Sequence, residues 1–130
     1  MTFEARNFEF TSLPPQPEEF TGAAMARVYQ PFGGKLELLF ALATQLSFPE
    51  YFGANWDALE ESLQDLLPNH GRALVIVHEA LPASLTDSEL LSYLAVLDRV
   101  IKHRREFGEP MLRVVFANEL RTRIESLERR

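Results

Sequence analysis

The run Ala73-Leu74-Val75-Ile76-Val77 contains no polar side chain and is rich in β-branched residues. A strand with one wet face alternates apolar and polar positions. An unbroken run this short instead marks a strand covered on both faces, the usual state of strands in parallel sheets. Working outward, Leu112-Arg113-Val114-Val115-Phe116 gives a later strand and Ala26-Arg27-Val28-Tyr29 an earlier one. Between the two later strands, Thr86 with Glu89 three positions on forms a capping box that opens a helix running to about Phe107, where Gly108 and Pro110 stop it. On the other side, Pro31-Phe32-Gly33-Gly34 turns the chain into a mostly buried helix from Lys35 to Leu46, closed by Ser47-Phe48-Pro49. A second helix spans Trp56 to Leu67 and ends at Pro68-Asn69 and Gly71. Strand, helices, strand, helix, strand is the order of a small parallel α/β sheet with right-handed crossovers.

The flanks differ from this centre. In residues 1–22, Phe3, Phe8, Phe10 and Phe20 are spaced around Pro14, Pro15 and Pro17, so no continuous helix fits. We read this stretch as an arm packed onto the domain by its phenylalanines, with a short strand around Phe8-Glu9-Phe10. The domain proper is assigned to residues 23–117, and residues 118–130 to a polar helix or tail. At 130 residues with 46% hydrophobic and 25% charged content, the chain has the composition of one soluble globular domain. The 0 Cys exclude a disulfide framework, a thiolate metal site and a cysteine nucleophile. The start of the chain carries no secretory pattern, and its longest uncharged apolar stretch, Leu38 to Pro49, is too short to span a membrane. The expected location is cytoplasmic.

Charge is unevenly distributed. Residues 1–89 hold 4 basic and 13 acidic side chains, a balance of −9, whereas residues 90–130 hold 9 basic and 6 acidic, a balance of +3. From Leu36 to Gly71 there is no Lys or Arg. Such a one-signed stretch repels polyanions and attracts a basic partner, which argues against direct nucleic-acid binding. On the second helix, at about 100° per residue, Trp56, Leu59, Leu63, Leu66 and Leu67 form an apolar stripe. Asp57, Glu60, Glu61, Gln64 and Asp65 fall opposite, within an arc of roughly 140°. Like charges at this spacing repel, and no cation on the helix offsets them. The pattern fits either an acidic face kept for solubility or a docking face for something basic. Asp57 and Glu61, one turn apart, would enter a cationic cleft together.

Other chemistries find little support. Gly33-Gly34-Lys35 lacks the remaining residues of a phosphate loop and reads as a plain turn. No serine sits in a Gly-x-Ser-x-Gly elbow. His78 at a strand end reads as a surface or hydrogen-bonded residue, and a metal would need it or His70 to converge with Asp57, Glu60 or Glu61, which the spacing does not demand. The Lys102-His103-Arg104-Arg105 segment and the arginines at 121, 123, 129 and 130 are the basic counterweights, the latter interleaved with Glu119, Glu125 and Glu128. In the loop before the acidic helix, Phe52 suits an anchor, Tyr51 an outward ring, Gly53 a turn and Asn55 a helix cap.

Phe48-Pro49-Glu50-Tyr51-Phe52-Gly53-Ala54-Asn55-Trp56-Asp57-Ala58-Leu59 resembles the characteristic motif of the barstar family, the intracellular ribonuclease inhibitors. The resemblance implies a three-stranded parallel sheet packed with helices, no enzymatic activity and no cofactor. It also implies an immunity-type protein, a monomer that joins a basic ribonuclease, such as a toxin of the same cell, in a 1:1 complex and plugs its active site. Carried over by position, Tyr51 resembles the aromatic that stacks in the nuclease cleft, Asp57 an interface acid, Glu61 the acid that reaches deepest, and Gln64 a further polar contact. Asn55 belongs to the same loop, and Glu60 stands where the family carries an aromatic. The alternative is a protein-interaction or regulatory module that keeps the fold and binds a non-nuclease partner, a reading motivated by Glu60 and by the basic segment from Lys102 to Arg105.

Overall fold

A computed structural model describes residues 2–12, 22–29, 33–50, 52–65 and 72–130. The run at 74–78 is a fully buried strand, as its composition requires: β3 (Leu74–His78). It is preceded by β2 (Ala24–Val28), α1 (Lys35–Gln45) and α2 (Trp56–Asp65), and followed by α3 (Asp87–Glu106) and β4 (Leu112–Ala117). Among the described residues the sheet has four strands rather than three. Residues Glu9–Thr11 form β1, which pairs in parallel with β4, giving the order β1-β4-β3-β2. The extra strand has a simple cause. A three-stranded sheet leaves the N–H and C=O groups along one side of β4 unpaired, and a segment already held there by phenylalanines satisfies them.

The segment carrying β1 is fixed by more than its backbone. Phe3 and Phe8 are buried, Phe8 and Phe10 pack their rings on Phe116 at 5.5 and 5.8 Å, and Phe3 stacks on Phe8 at 5.8 Å. Asn7 Nδ2 donates to the buried Asp98 carboxylate at 2.8 Å. Lys102 Nζ bridges Glu4 at 2.8 Å and Asp98 at 2.9 Å. The C-terminal stretch is a short helix, α4 (Arg121–Glu128), that buries Ile124 and Leu127 and accepts the Ala5 amide on Glu128 at 2.7 Å. Three of the C-terminal arginines are tied to the domain: Arg123 and Arg130 reach Asp87, and Arg121 lies over the Phe10 ring. Phe20 and the prolines at 14, 15 and 17 fall outside the described residues.

Side-chain alternation along the strands sorts the core. Ala26, Leu74, Ile76, Leu112, Val114 and Phe116 face the helices, while Val75, Val77 and Val115 pack with Ala23 and Met25 on the other side. The longest helix, α3, begins at the expected capping box: Thr86 Oγ1 accepts from Glu89 N at 3.0 Å, and Glu89 returns the bond to Thr86 N. Its buried face carries Leu90, Leu94, Leu97 and Ile101, and α2 packs across it. This seat holds α2 with its opposite face outward.

Candidate functional site

The loop that leads into α2 is built by two caps and an aromatic pair. The first helix ends at Gln45 as Ser47 turns left-handed (φ 56°) and Phe48 N donates back to Ala43 O at 2.9 Å. Phe52 N then donates to Pro49 O at 3.0 Å, and the half-buried Phe48 and Phe52 rings meet at 5.2 Å, so Phe52 is the anchor its position suggested. Tyr51 lies outside the described residues. The residue that takes the left-handed conformation is Ala54 (φ 50°), not Gly53. Gly53 has space rather than torsion as its constraint, since a Cβ there would lie 3.3 Å from Asn55 Nδ2. An L-residue in that region is strained by roughly 1–2 kcal/mol, so Ala54→Gly is expected to raise stability by about 1 kcal/mol, read as a higher urea midpoint. A lower midpoint would mean that Ala54 packs usefully enough to outweigh its torsion.

Asn55 caps α2. Its Oδ1 accepts from Ala58 N at 2.8 Å, its carbonyl accepts from Leu59 N, and its amide reaches back to Gly53 O at 3.4 Å. From there the periodicity of α2 separates the faces as expected for the described residues. Leu59 and Leu63 are fully buried and Trp56 packs against the core, while Asp57 and Glu61 are exposed, one turn apart. Leu66, Leu67 and the Pro68-Asn69 stop lie outside the described residues.

The face is not purely acidic, and this corrects the reading of an unrelieved cluster. Arg99 of α3 donates through Nε and Nη2 to Glu60 Oε1 at 3.0 and 2.7 Å, and Gln64 Nε2 donates to Glu60 Oε2 at 3.3 Å. Glu60 is half-buried by this arrangement, and both of its oxygens are engaged. The Arg99 guanidinium is held still more firmly in its charged form, first by the hydrogen bond to Glu60, with the Asp57 and Asp98 charges adding. Glu60 therefore registers α2 on α3, and among the acids whose side chains are described on this helix Asp57 and Glu61 face outward. Sequence reasoning missed Arg99 because it looked for cations only on α2 itself.

The basic segment is also redistributed. Lys102 is occupied by Glu4 and Asp98, and Arg104 is fully buried. Arg104 donates Nη2 and Nε to Leu63 O at 2.9 and 3.3 Å and Nη1 to Pro110 O at 2.7 Å. Burial pulls its pKa down to about 10, with the Glu109 charge opposing, so it stays cationic at neutral pH. A cation hydrogen-bonded to a helix carbonyl is favourably placed, and here it offsets the acids of α2 from beneath.

Beneath Trp56, which meets Tyr93 at 5.9 Å, lies a buried polar pair. His78 is fully buried and stacked on Phe116 at 4.2 Å; its Nδ1 is 3.0 Å from Val115 O and its Nε2 2.6 Å from the Tyr93 hydroxyl. A carbonyl only accepts, so the proton sits on Nδ1 and Tyr93 donates to Nε2. This is a hydrogen-bonded core histidine, and among the described residues no group of three His, Asp or Glu side chains is arranged to hold a metal. Burial lowers the His78 pKa to about 4 and pushes the Tyr93 phenol up. Because the folded pKa lies below the unfolded 6.5, the unfolded state binds the extra proton first as pH falls. Stability is whole above pH 6.5 and falls by about 3 kcal/mol on the way to pH 4. Urea unfolding across that window checks it: His78→Phe should remove this part of the slope. An unchanged slope would place the titration on the carboxylates alone.

The described residues thus form a small α/β fold, a wholly parallel four-stranded sheet packed with helices, that presents an outward acid pair on a firmly seated helix beside a capped loop. The family model described as Barstar (barnase inhibitor) matches residues 30–116, and the chain belongs to that family. No match to a curated protein was found. Among the described residues, no helix is long and apolar enough to cross a membrane.

Proposed function

We propose that this chain inhibits a basic ribonuclease by lying across its active site with α2 and the preceding loop. The observation that carries the reading is the exposed pair Asp57 and Glu61, one turn apart on a helix where the neighbouring acid Glu60 is already tied down by Arg99. Two carboxylates held at that spacing match a cleft lined by cations that normally grip substrate phosphates. In this reading Asp57 and Glu61 are the anchors, Gln64 and Asn55 offer polar edges, and Tyr51 is the aromatic contact. Glu60 contributes charge while remaining bound to Arg99. The protein acts as a monomer in a 1:1 complex, in a cytoplasmic setting, and carries out no reaction itself.

Titration of a small basic microbial ribonuclease with the protein, following RNA cleavage, tests this. Stoichiometric inhibition that disappears in Asp57→Ala/Glu61→Ala is the expected result. Absence of inhibition by the unaltered protein across several such nucleases would withdraw the reading and favour a barstar-fold module with a non-nuclease partner. The basic segment gives that second reading little footing, because Lys102 is paired and Arg104 is buried.

A further inference from the structure

In a parallel pair, the residues of a strand alternate in the direction their N–H and C=O groups point. On β2, Ala24 N donates to Ala73 O and Val28 O accepts from Glu79 N, so residues 24, 26 and 28 face β3. The amide and carbonyl groups of Met25 and Arg27 therefore point away from β3, at the edge of the sheet that the described residues form. At the opposite edge, β1 has only three residues, which is itself a protection against strand addition. The five-residue β2, Ala-Met-Ala-Arg-Val, has no proline, no lysine and no bulge to discourage pairing.

Among the described residues, the Gln45 side chain meets this edge. Gln45, the last residue of α1, accepts the Arg27 N–H on Oε1 at 2.8 Å and donates Nε2 to the Arg27 carbonyl at 2.9 Å. A carboxamide reproduces the donor and acceptor of a peptide group, so Gln45 makes the same pair of bonds to Arg27 that a neighbouring strand would make. Farther along, Arg72 donates to the Gly22 and Ala23 carbonyls at 3.2 and 3.1 Å, occupying the entrance to the same strand.

We propose that Gln45 is an edge guard: its carboxamide closes β2 against strand addition by a second copy of this chain. The occupant follows from the edge itself. Two copies related by a two-fold axis would meet β2 to β2 in antiparallel fashion, with Met25 of each opposite Arg27 of the other, merging two sheets into one. Such pairing needs no further complementarity than the strand has with itself. The guard keeps the molecule single, and it sits on α1, separate from the acids of α2, so the inference does not depend on the inhibitor reading.

Gln45→Ala and Gln45→Met test it, the second keeping the length of the side chain without its polar atoms. Sedimentation of each variant and of the unaltered 14.9 kDa chain over a wide concentration range is combined with amide exchange followed residue by residue. The expected result is a variant mass rising toward twice that of the single chain, while the unaltered protein stays single. Arg27 N–H should exchange about tenfold faster in dilute variant than in the unaltered protein. Met25 N–H should become protected as the variant associates. Variants that stay single with an unchanged Met25 rate would overturn the proposal, as would association that leaves Met25 exchanging freely. Loss of the fold in both variants would also overturn it, because Gln45 would then be a folding determinant.

Discussion

Glu61→Ala is expected to weaken the complex with a basic ribonuclease on the order of a hundredfold, with most of the change in the dissociation rate. Glu61 is exposed in the free protein, so removing it leaves the fold unstrained. In the complex its carboxylate would be shut away from water among cations, and truncation would leave those cations buried without a partner. That cost is felt after docking, and so in the lifetime of the complex. The long-range attraction that sets the association rate comes from the summed charge of −6 and changes only slightly when one acid is lost. Stopped-flow association with a competition measurement of dissociation separates the two. A variant with a slower on-rate and an unaltered off-rate would remove Glu61 from the anchor role.

Glu60→Gln supplies the contrast. Its carboxylate accepts two bonds from Arg99 and one from Gln64, so a partner would have to compete for it. The expected loss in affinity is well below that of Glu61→Ala. Arg99 is 44% exposed, so the pair itself is worth about 1 kcal/mol or less to the fold. Equal losses in the two variants would mean that Arg99 releases Glu60 on binding. In that case Glu60 would join Asp57 and Glu61 in meeting the partner.

Local patterns made the site's outline legible in the sequence. The apolar stripe of α2 as far as Leu63, the Asn55 cap and the Thr86 capping box depend on residues within one or two turns, and each is where the spacing put it. What was not legible depends on contacts across large separations: β1 against β4, Arg99 on Glu60, and Gln45 on Arg27. The position of Ala54 shows a different limit, because glycine permits a left-handed turn without marking which neighbour takes it. One distant contact did leave a sign. Leu90, Leu94, Leu97 and Ile101 set out the buried stripe of α3, and the next position in that stripe is Arg104. A cation at a core position requires buried acceptors, so the segment from Lys102 to Arg105 was never a uniform surface patch.

Those acceptors make Arg104→Met the substitution with the largest expected effect on stability, a loss of about 3 kcal/mol. Replacing a whole buried ion pair by apolar side chains is often neutral, because both charges leave together. Here the partners are the Leu63 and Pro110 carbonyls, which belong to the backbone and cannot leave. Leu63 O accepts from two guanidinium nitrogens, Nη2 at 2.9 Å and Nε at 3.3 Å, so the cation ties this part of α2 to α3. Methionine would fill most of the volume, leaving the buried Leu63 carbonyl and the part-buried Pro110 carbonyl without the guanidinium donors. Arg104→Lys should restore less than half of the loss, since a single ammonium cannot span two carbonyls that the planar fork reaches together. Urea unfolding measures both variants. A shift under about 0.5 kcal/mol for Arg104→Met would show that water reaches those carbonyls and replaces the guanidinium. A loss of that size would mean that α2 holds its outward acids in place in part because a buried cation from α3 grips the backbone at Leu63.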